Sequence, residues 1–248
     1  MISKAKIKYL KSLQVKKYRK EEQCFVVEGG KSVAELLRSD FVITQLYATG
    51  PFLKDNEDQV SQLGAEVLEV SEEELAAAGT YQTNNAALAV ARMKPNQITT
   101  IAPGEYVVVL DDIRDPGNAG TIIRAADWYG IKNIIASEET ADIYNPKVIG
   151  ATMGSFCRVN VFYTSLPDYL SHHTKATYGA FLDGTDVHAT TFHPEGGYIV
   201  MGNEANGISS EVSKLVTHRI TIPRYGQAES LNAGVATAII LDNLRRSV

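Results

Sequence analysis

The strongest constraint on the fold is a rhythm. Short apolar runs each empty into a loop rich in Gly, Pro or Asn, and segments of helical period separate them. The run Tyr106–Leu110, YVVVL, has no polar interruption, as expected of a strand covered on both faces of a parallel sheet. Further strands are predicted at Asn133–Ala136, Arg158–Phe162, Tyr178–Leu182, Tyr198–Met201 and Arg219–Ile222. Helices fit between them. Asn118–Tyr129 turns Ile122, Ala125, Ala126 and Trp128 toward a core and stops at Gly130, while Asn232–Arg246 packs Val235, Ile239 and Ile240 and ends in basic residues. The C-terminal part therefore reads as a parallel α/β sheet.

The N-terminal part carries the same rhythm on a smaller scale. Strands are predicted at Gln23–Glu28, Val42–Ala48, Glu66–Val70 and Ala86–Ala91, with helices at Gly30–Arg38, Lys54–Leu63 and Glu72–Ala78. Lys94–Glu105 holds two prolines, a glycine and polar residues, which marks a linker. The expected organisation is thus a small α/β domain over 1–95, a linker over 96–105 and a larger domain over 106–248.

Composition narrows the class. Of 248 residues, 44% are hydrophobic and 21% charged, which excludes a disordered chain or a disulfide-framed miniprotein. No apolar run approaches the about 18 to 20 residues that cross a bilayer, and no leader segment is evident, so the expectation is a cytoplasmic protein with no membrane partner. The two cysteines, Cys24 and Cys157, have no Cys-x-x-Cys spacing and read as buried thiols; the five histidines also lack metal-ligand spacing. The net charge of −5 argues against indiscriminate binding of nucleic acid. Its distribution reopens the question. Residues 1–20 hold eight Lys or Arg and no carboxylate, so this stretch carries +8 and the other 228 residues carry −13. It reads either as a cationic arm that draws a polyanion such as RNA or as a solvated helix face.

In open α/β sheets ligands bind beyond the carboxyl ends of the strands. Three loops there are unusual. Leu110–Arg124, LDDIRDPGNAGTIIR, passes from a buried strand through a turn into a helix whose free N–H groups suit an anion, or merely a cap such as Asn118. A helical side chain leans toward the N-terminus, so Arg124 is placed to reach back to this loop. Met201–Ile208, MGNEANGI, has two glycines for tight turns and close approach, and the carboxylate of Glu204. Ile222–Asn232, IPRYGQAESLN, offers Ser230 and Asn232 as helix caps or as polar groups at the same rim. Competing motifs fail. Glu28–Ser32, EGGKS, lacks the first glycine of a P-loop, and no Gly-x-Gly-x-x-Gly follows a strand. Asp111, Asp112 and Asp115 read either as divalent-ion ligands or, more simply, as solvated turn carboxylates.

In this order, DPGNAGTIIRAAD (115–127), MGNEANGIS (201–209) and IPRYGQAESLNAGVATAI (222–239) resemble the three motifs of the SpoU/TrmH family of RNA ribose 2′-O-methyltransferases, within the SPOUT superfamily. NPKVIGATMGSFCRV (145–159) is also similar to a family segment. Residues 1–95, especially KKYRKEEQCFVVEGGKSVAELL, resemble the substrate-binding domain that precedes the catalytic domain in one branch, related to an RNA-binding ribosomal-protein fold. The resemblance implies a parallel-sheet α/β-knot catalytic domain, trefoil-knotted, behind a smaller α/β RNA-binding domain. It also implies a homodimer and S-adenosylmethionine as cofactor, with no metal.

The family's cofactor contacts map to Gly202, Ile222, Leu231 and Leu182, and its catalytic positions to Asn118, Arg124, Glu204, Ser230 and Asn232. The family assigns removal of the hydroxyl proton to the arginine. A guanidinium with a pKa above about 12 is a poor base, so a role on a phosphate or on the developing alkoxide stays open. Departures from the family pattern are Gly150 where arginine is common, Thr152 where serine is common, Asn206 where a smaller or acidic residue is common, and Arg224 where methionine is frequent.

The expected activity is methylation of a ribose 2′-hydroxyl in RNA, ribosomal RNA ahead of tRNA because of the N-terminal domain. A non-catalytic RNA-binding or ribosome-assembly protein of the same fold is the alternative, disfavoured by the intact motif residues. A nicotinamide-dependent enzyme lacks its glycine fingerprint.

Overall fold

The structure, a computed structural model, describes residues 1–247 and divides into two compact units, Met1–Pro95 with Asp142–Cys157, and Asn96–Ala141 with Arg158 onward. Unit 1 begins with helices α1 (Lys4–Ser12) and α2 (Lys16–Glu22). Strand β1 (Cys24–Glu28), α3 (Gly30–Leu37), β2 (Ile43–Ala48), α4 (Gly50–Asp55), α5 (Glu57–Ser61), β3 (Glu66–Glu69), α6 (Glu72–Ala78) and β4 (Ala87–Arg92) follow. The sheet order is β1-β4-β2-β3, with only β2 and β3 parallel. Strand side chains alternate between faces, so β1 serves two cores. Cys24 and Val26 pack with Leu10, Leu13 and Leu75, while the Phe25 ring packs tilted against Tyr144 at 4.6 Å and edge-to-face with Phe156 at 6.0 Å.

The basic N-terminus is therefore no free arm. Ser3 caps α1 by accepting from the Lys6 N–H, and Leu10 and Leu13 are buried at 1% and 0% exposure. Arg19 is buried as well. Its Nη1 donates to the carbonyls of Leu13 (3.0 Å) and Gln14 (2.8 Å), and its Nη2 to Asp142 at 2.8 Å. One predicted helix, Lys54–Leu63, is two. Asn56 sits between α4 and α5 at φ −123°, and its side-chain amide donates to the Phe52 carbonyl, a local bond that competes with helix continuation.

Unit 2 holds β5 (Tyr106–Asp111), α7 (Pro116–Trp128) and β6 (Asn133–Ala136). The chain then contributes α8 (Pro146–Thr152), which Asn145 caps, to unit 1. It returns as β7 (Asn160–Tyr163), α9 (Leu166–Ser171), β8 (Ala176–Asp186), β9 (Gly197–Gly202), α10 (Ser210–Ser213), β10 (His218–Thr221) and α11 (Ala233–Ser247). All six strands are parallel in the order β10-β8-β9-β5-β6-β7, with the fully buried β5 near the centre.

Two details differ from expectation. Trp128 does not face the core but is 84% exposed, because Ala119, Ile122, Ile123 and Ala126 already form the buried stripe and residue 128 lies about 200° beyond 126 on the helix. Val235 is likewise half exposed, while Ile240 is buried. Strand β8 is also irregular. Its partner in β10 jumps from Gly179, opposite Arg219, to Thr185, opposite Ile220, so residues 180–184 leave the ladder. Among the described residues no helix is long and apolar enough to cross a membrane.

Candidate active site

The loops that leave β9 and β10, together with the displaced segment of β8, surround one cavity of about 590 Å³. All lie at carboxyl ends of parallel strands or beside them, where the ends of the ladder leave backbone groups unspent. The β9 loop is held by its own residues. A Cβ on Gly202 would overlap the backbone of Gly207 and Ile208, so only glycine allows the chain to close there. Asn203 and Gly207 exchange backbone hydrogen bonds of 3.0 and 2.9 Å, and Gly207 takes φ +69°. The Asn203 side chain donates to the Asp112 carbonyl at 2.7 Å and accepts from the N–H groups of Ala205 and Asn206. The result is a tight loop with Glu204 at its tip.

The aspartates near β5 have structural work. Asp111 accepts from the Ser209 N–H at 2.7 Å, and Asp115 caps α7 by accepting from the Asn118 N–H at 2.8 Å. Among the described residues no group of three or more His, Cys, Asp or Glu is arranged to hold a metal ion. Asp115, not Asn118, is the cap, which leaves the Asn118 amide free to point away from the helix.

That amide joins the three loops. Asn232 caps α11, its Oδ1 accepting from the N–H groups of Gly234 (2.9 Å) and Val235 (3.2 Å). Its Nδ2 is then turned outward and donates to Asn118 Oδ1 at 2.6 Å. Asn118 must therefore present its own Nδ2 on the other side, and this donates to Glu204 Oε1 at 2.6 Å. The direction of the whole chain, Asn232 to Asn118 to Glu204, follows from the cap, because each amide has one accepting and one donating end. Residues 86 and 114 positions apart are thereby fixed together.

Gly202, Glu204, Ile222, Ser230, Leu231 and Leu182 all line the cavity. Leu182 is 82% exposed because the break in the β8 ladder turns it out. Asn118 and Asn232 join this group through Glu204. Arg124 stands apart from the lining. It is exposed on α7, about 9 Å along the helix axis from Asn118, and makes no hydrogen bond or ion pair with a described residue. Sequence reasoning missed Asn203 and, apart from Leu182, which the resemblance named, the segment 180–184. The first had a signal, an Asn directly before the loop's carboxylate; the second had none, because a register jump depends on the neighbouring strand.

A cavity at the carboxyl edge of a parallel sheet, walled by ordered loops, places this chain among α/β proteins that hold a small molecule at that edge. Comparison with known proteins narrows it. Residues 105–242 match the SpoU rRNA Methylase family and residues 4–89 the MRM3-like substrate binding domain. The chain belongs to the SpoU rRNA methylase family. It is similar to the 23S rRNA (guanosine(2553)-2′-O)-methyltransferase RlmP of Bacillus subtilis, 31% identical over 97% of this chain and 96% of that protein. A 23S rRNA (uridine(2479)-2′-O)-methyltransferase of Streptomyces viridochromogenes is 31% identical over 57% of this chain and 53% of its own length. The crystal structure of an AdoMet-bound rRNA methyltransferase from Sinorhizobium meliloti superposes with a TM-score of 0.89 at 29% identity, covering 100% of this chain and 97% of that one.

Proposed function

We propose that this protein transfers a methyl group from S-adenosylmethionine to a ribose 2′-hydroxyl of ribosomal RNA. The observation that carries the reading is the Asn232–Asn118–Glu204 chain, which fixes three motif loops around one cavity. The residues present fit that donor. The volume falls within the roughly 300 to 1,000 Å³ of small-molecule sites. Leu182, Ile222 and Leu231 offer apolar surface for an adenine. From Pro223 to Leu231 no backbone group bonds to another backbone group among the described residues, so N–H and C=O groups remain for a polar ligand. When bound, the sulfonium supplies an activated methyl for in-line displacement. The chain's own part is to align the acceptor and exclude water.

In this reading Asn118 and Asn232 lock Glu204 and the cofactor loops, and Ser230 lines the donor side. Arg124, which no internal partner claims, takes the RNA phosphate beside the target ribose and stabilises the oxygen as the O–CH3 bond forms, the S–CH3 bond breaks and the hydroxyl proton passes to that phosphate or to water. A homodimer is part of the proposal. Arg124 and the exposed Trp128 are one turn apart on α7, so a second copy packed over Trp128 would bring Arg124 to the subunit boundary. Such an enzyme works where ribosomal RNA is accessible, in the cytoplasm.

Labelled methyl from S-adenosylmethionine, offered separate ribosomal RNA and tRNA, is expected to enter ribosomal RNA at an alkali-resistant linkage. Label confined to tRNA would redirect the substrate, and label in neither would refute the reading.

Unit 1 is the proposed RNA-holding part. Lys4, Lys8 and Lys11 follow i, i+4, i+7 spacing and are exposed, which places them in one stripe on α1. Deleting residues 1–20 would remove Leu10 and Leu13 from the core, so charge removal is the cleaner probe. Changing all three lysines to Gln keeps good helix formers and is expected to flatten the slope of log affinity against log salt by about 2 to 3. An unchanged slope would assign RNA contact to another surface.

A further inference from the structure

We propose that Arg224 and Tyr225 form the nucleotide-holding rim of the cavity, Tyr225 stacking on an unpaired base and Arg224 taking a backbone phosphate. This rests on the function proposed above and adds residues to it that the motif set does not contain. Both residues line the cavity, and Tyr225 is 93% exposed, which places it at the rim, open to an arriving molecule. The backbone next to it is also uncrowded, since a Cβ on Gly226 would meet nothing within 4 Å.

Arg224 supplies the one positive charge that such an occupant can meet among the described residues of this rim. Among the described residues lining the cavity, Arg224 is the sole cation, beside the carboxylates of Asp183, Glu204 and Glu229. Asp183 is paired with Arg219 and Glu204 with Asn118, whereas Arg224 makes no ion pair with a described residue and only a 3.4 Å contact from Nη1 to the Ala228 carbonyl. A polyanion approaching this otherwise acidic rim needs that guanidinium. An exposed aromatic next to an uncommitted arginine suits single-stranded RNA, whose splayed bases stack on ring faces while phosphates take the fork of a guanidinium.

The test uses the full chain with unmodified transcripts of the two large ribosomal RNAs, measuring methyl-transfer kinetics, direct RNA affinity and S-adenosylmethionine affinity. Tyr225→Ala is expected to raise the KM for RNA about tenfold and weaken RNA binding in parallel, with affinity for the donor unchanged. Tyr225→Phe, which keeps the ring, should restore most of the loss. Arg224→Met should weaken RNA binding and reduce its salt slope by about one. A KM for RNA within twofold of wild type in Tyr225→Ala, or a loss confined to donor affinity, would overturn the inference. Wild-type protein that transfers no methyl would strike the proposed function instead, and the direct RNA affinities would still decide the role of Tyr225.

Discussion

Replacing Arg124 by alanine is expected to slow methyl transfer by about 10²- to 10⁴-fold while leaving the melting temperature and the donor affinity near those of the wild type. The two halves of that expectation come from one observation. Arg124 lies exposed on α7 and makes no hydrogen bond or ion pair with any described residue, so its removal breaks nothing that holds the fold, and exposed substitutions of this kind stay within about 0.5 kcal/mol. A cation without a structural partner on a motif helix is available to substrate. Arg124→Lys should recover only part of the rate, because an ammonium keeps the charge but loses the planar two-pronged grip on a phosphate. Single-turnover kinetics with saturating RNA give the measurement. A normal rate in Arg124→Ala would remove this residue from the mechanism, and a parallel loss of stability would make its role structural.

The second large effect is in unit 1. Arg19→Met is expected to destabilise the protein by about 3 to 5 kcal/mol in urea unfolding, because it strands Asp142 without its cation. The side chains of Arg19 and Asp142 are 2% and 14% exposed, so water replaces the lost partner only in part. Two carbonyls, of Leu13 and Gln14, also lose their donor. Asp142→Asn should cost less, since the amide oxygen still accepts from the guanidinium. If the pair acts as described, Arg19→Met combined with Asp142→Leu should be less destabilising than the sum of the single changes. A loss below about 1 kcal/mol in Arg19→Met would show that the buried pair contributes little.

Strands β5, β6 and β9 were legible because each is an apolar run of the right length, and they lie where the pattern puts them, within a residue at either end. The N-terminus stayed undecided between a free arm and a helix face for a physical reason. Eight cations in twenty positions dominate the composition, and the two leucines that bury α1 and the loop after it, Leu10 and Leu13, are too few to show a period. The fate of Arg19 could not be read, since its partner lies 123 positions away. Trp128 was assigned to the core on hydrophobicity, whereas helix geometry puts it opposite Ala126. In the site, glycine demands and capping are local, so Gly202, Gly207 and the cap at Asn232 were readable. The meeting of Asn118, Glu204 and Asn232 was not, for no periodicity links residues more than 80 positions apart; that expectation came from the resemblance alone. The wall formed by residues 180–184 depends on the register of β10 and left no trace in the pattern.

A crystal structure of the protein soaked with S-adenosylmethionine tests the central claim most directly. The donor should appear in the cavity between the loops after β9 and β10, against Leu182, Gly202, Ile222 and Leu231, with the Asn232–Asn118–Glu204 hydrogen bonds intact. A donor bound on another face, or a cavity that stays empty at saturating concentration, would contradict the account.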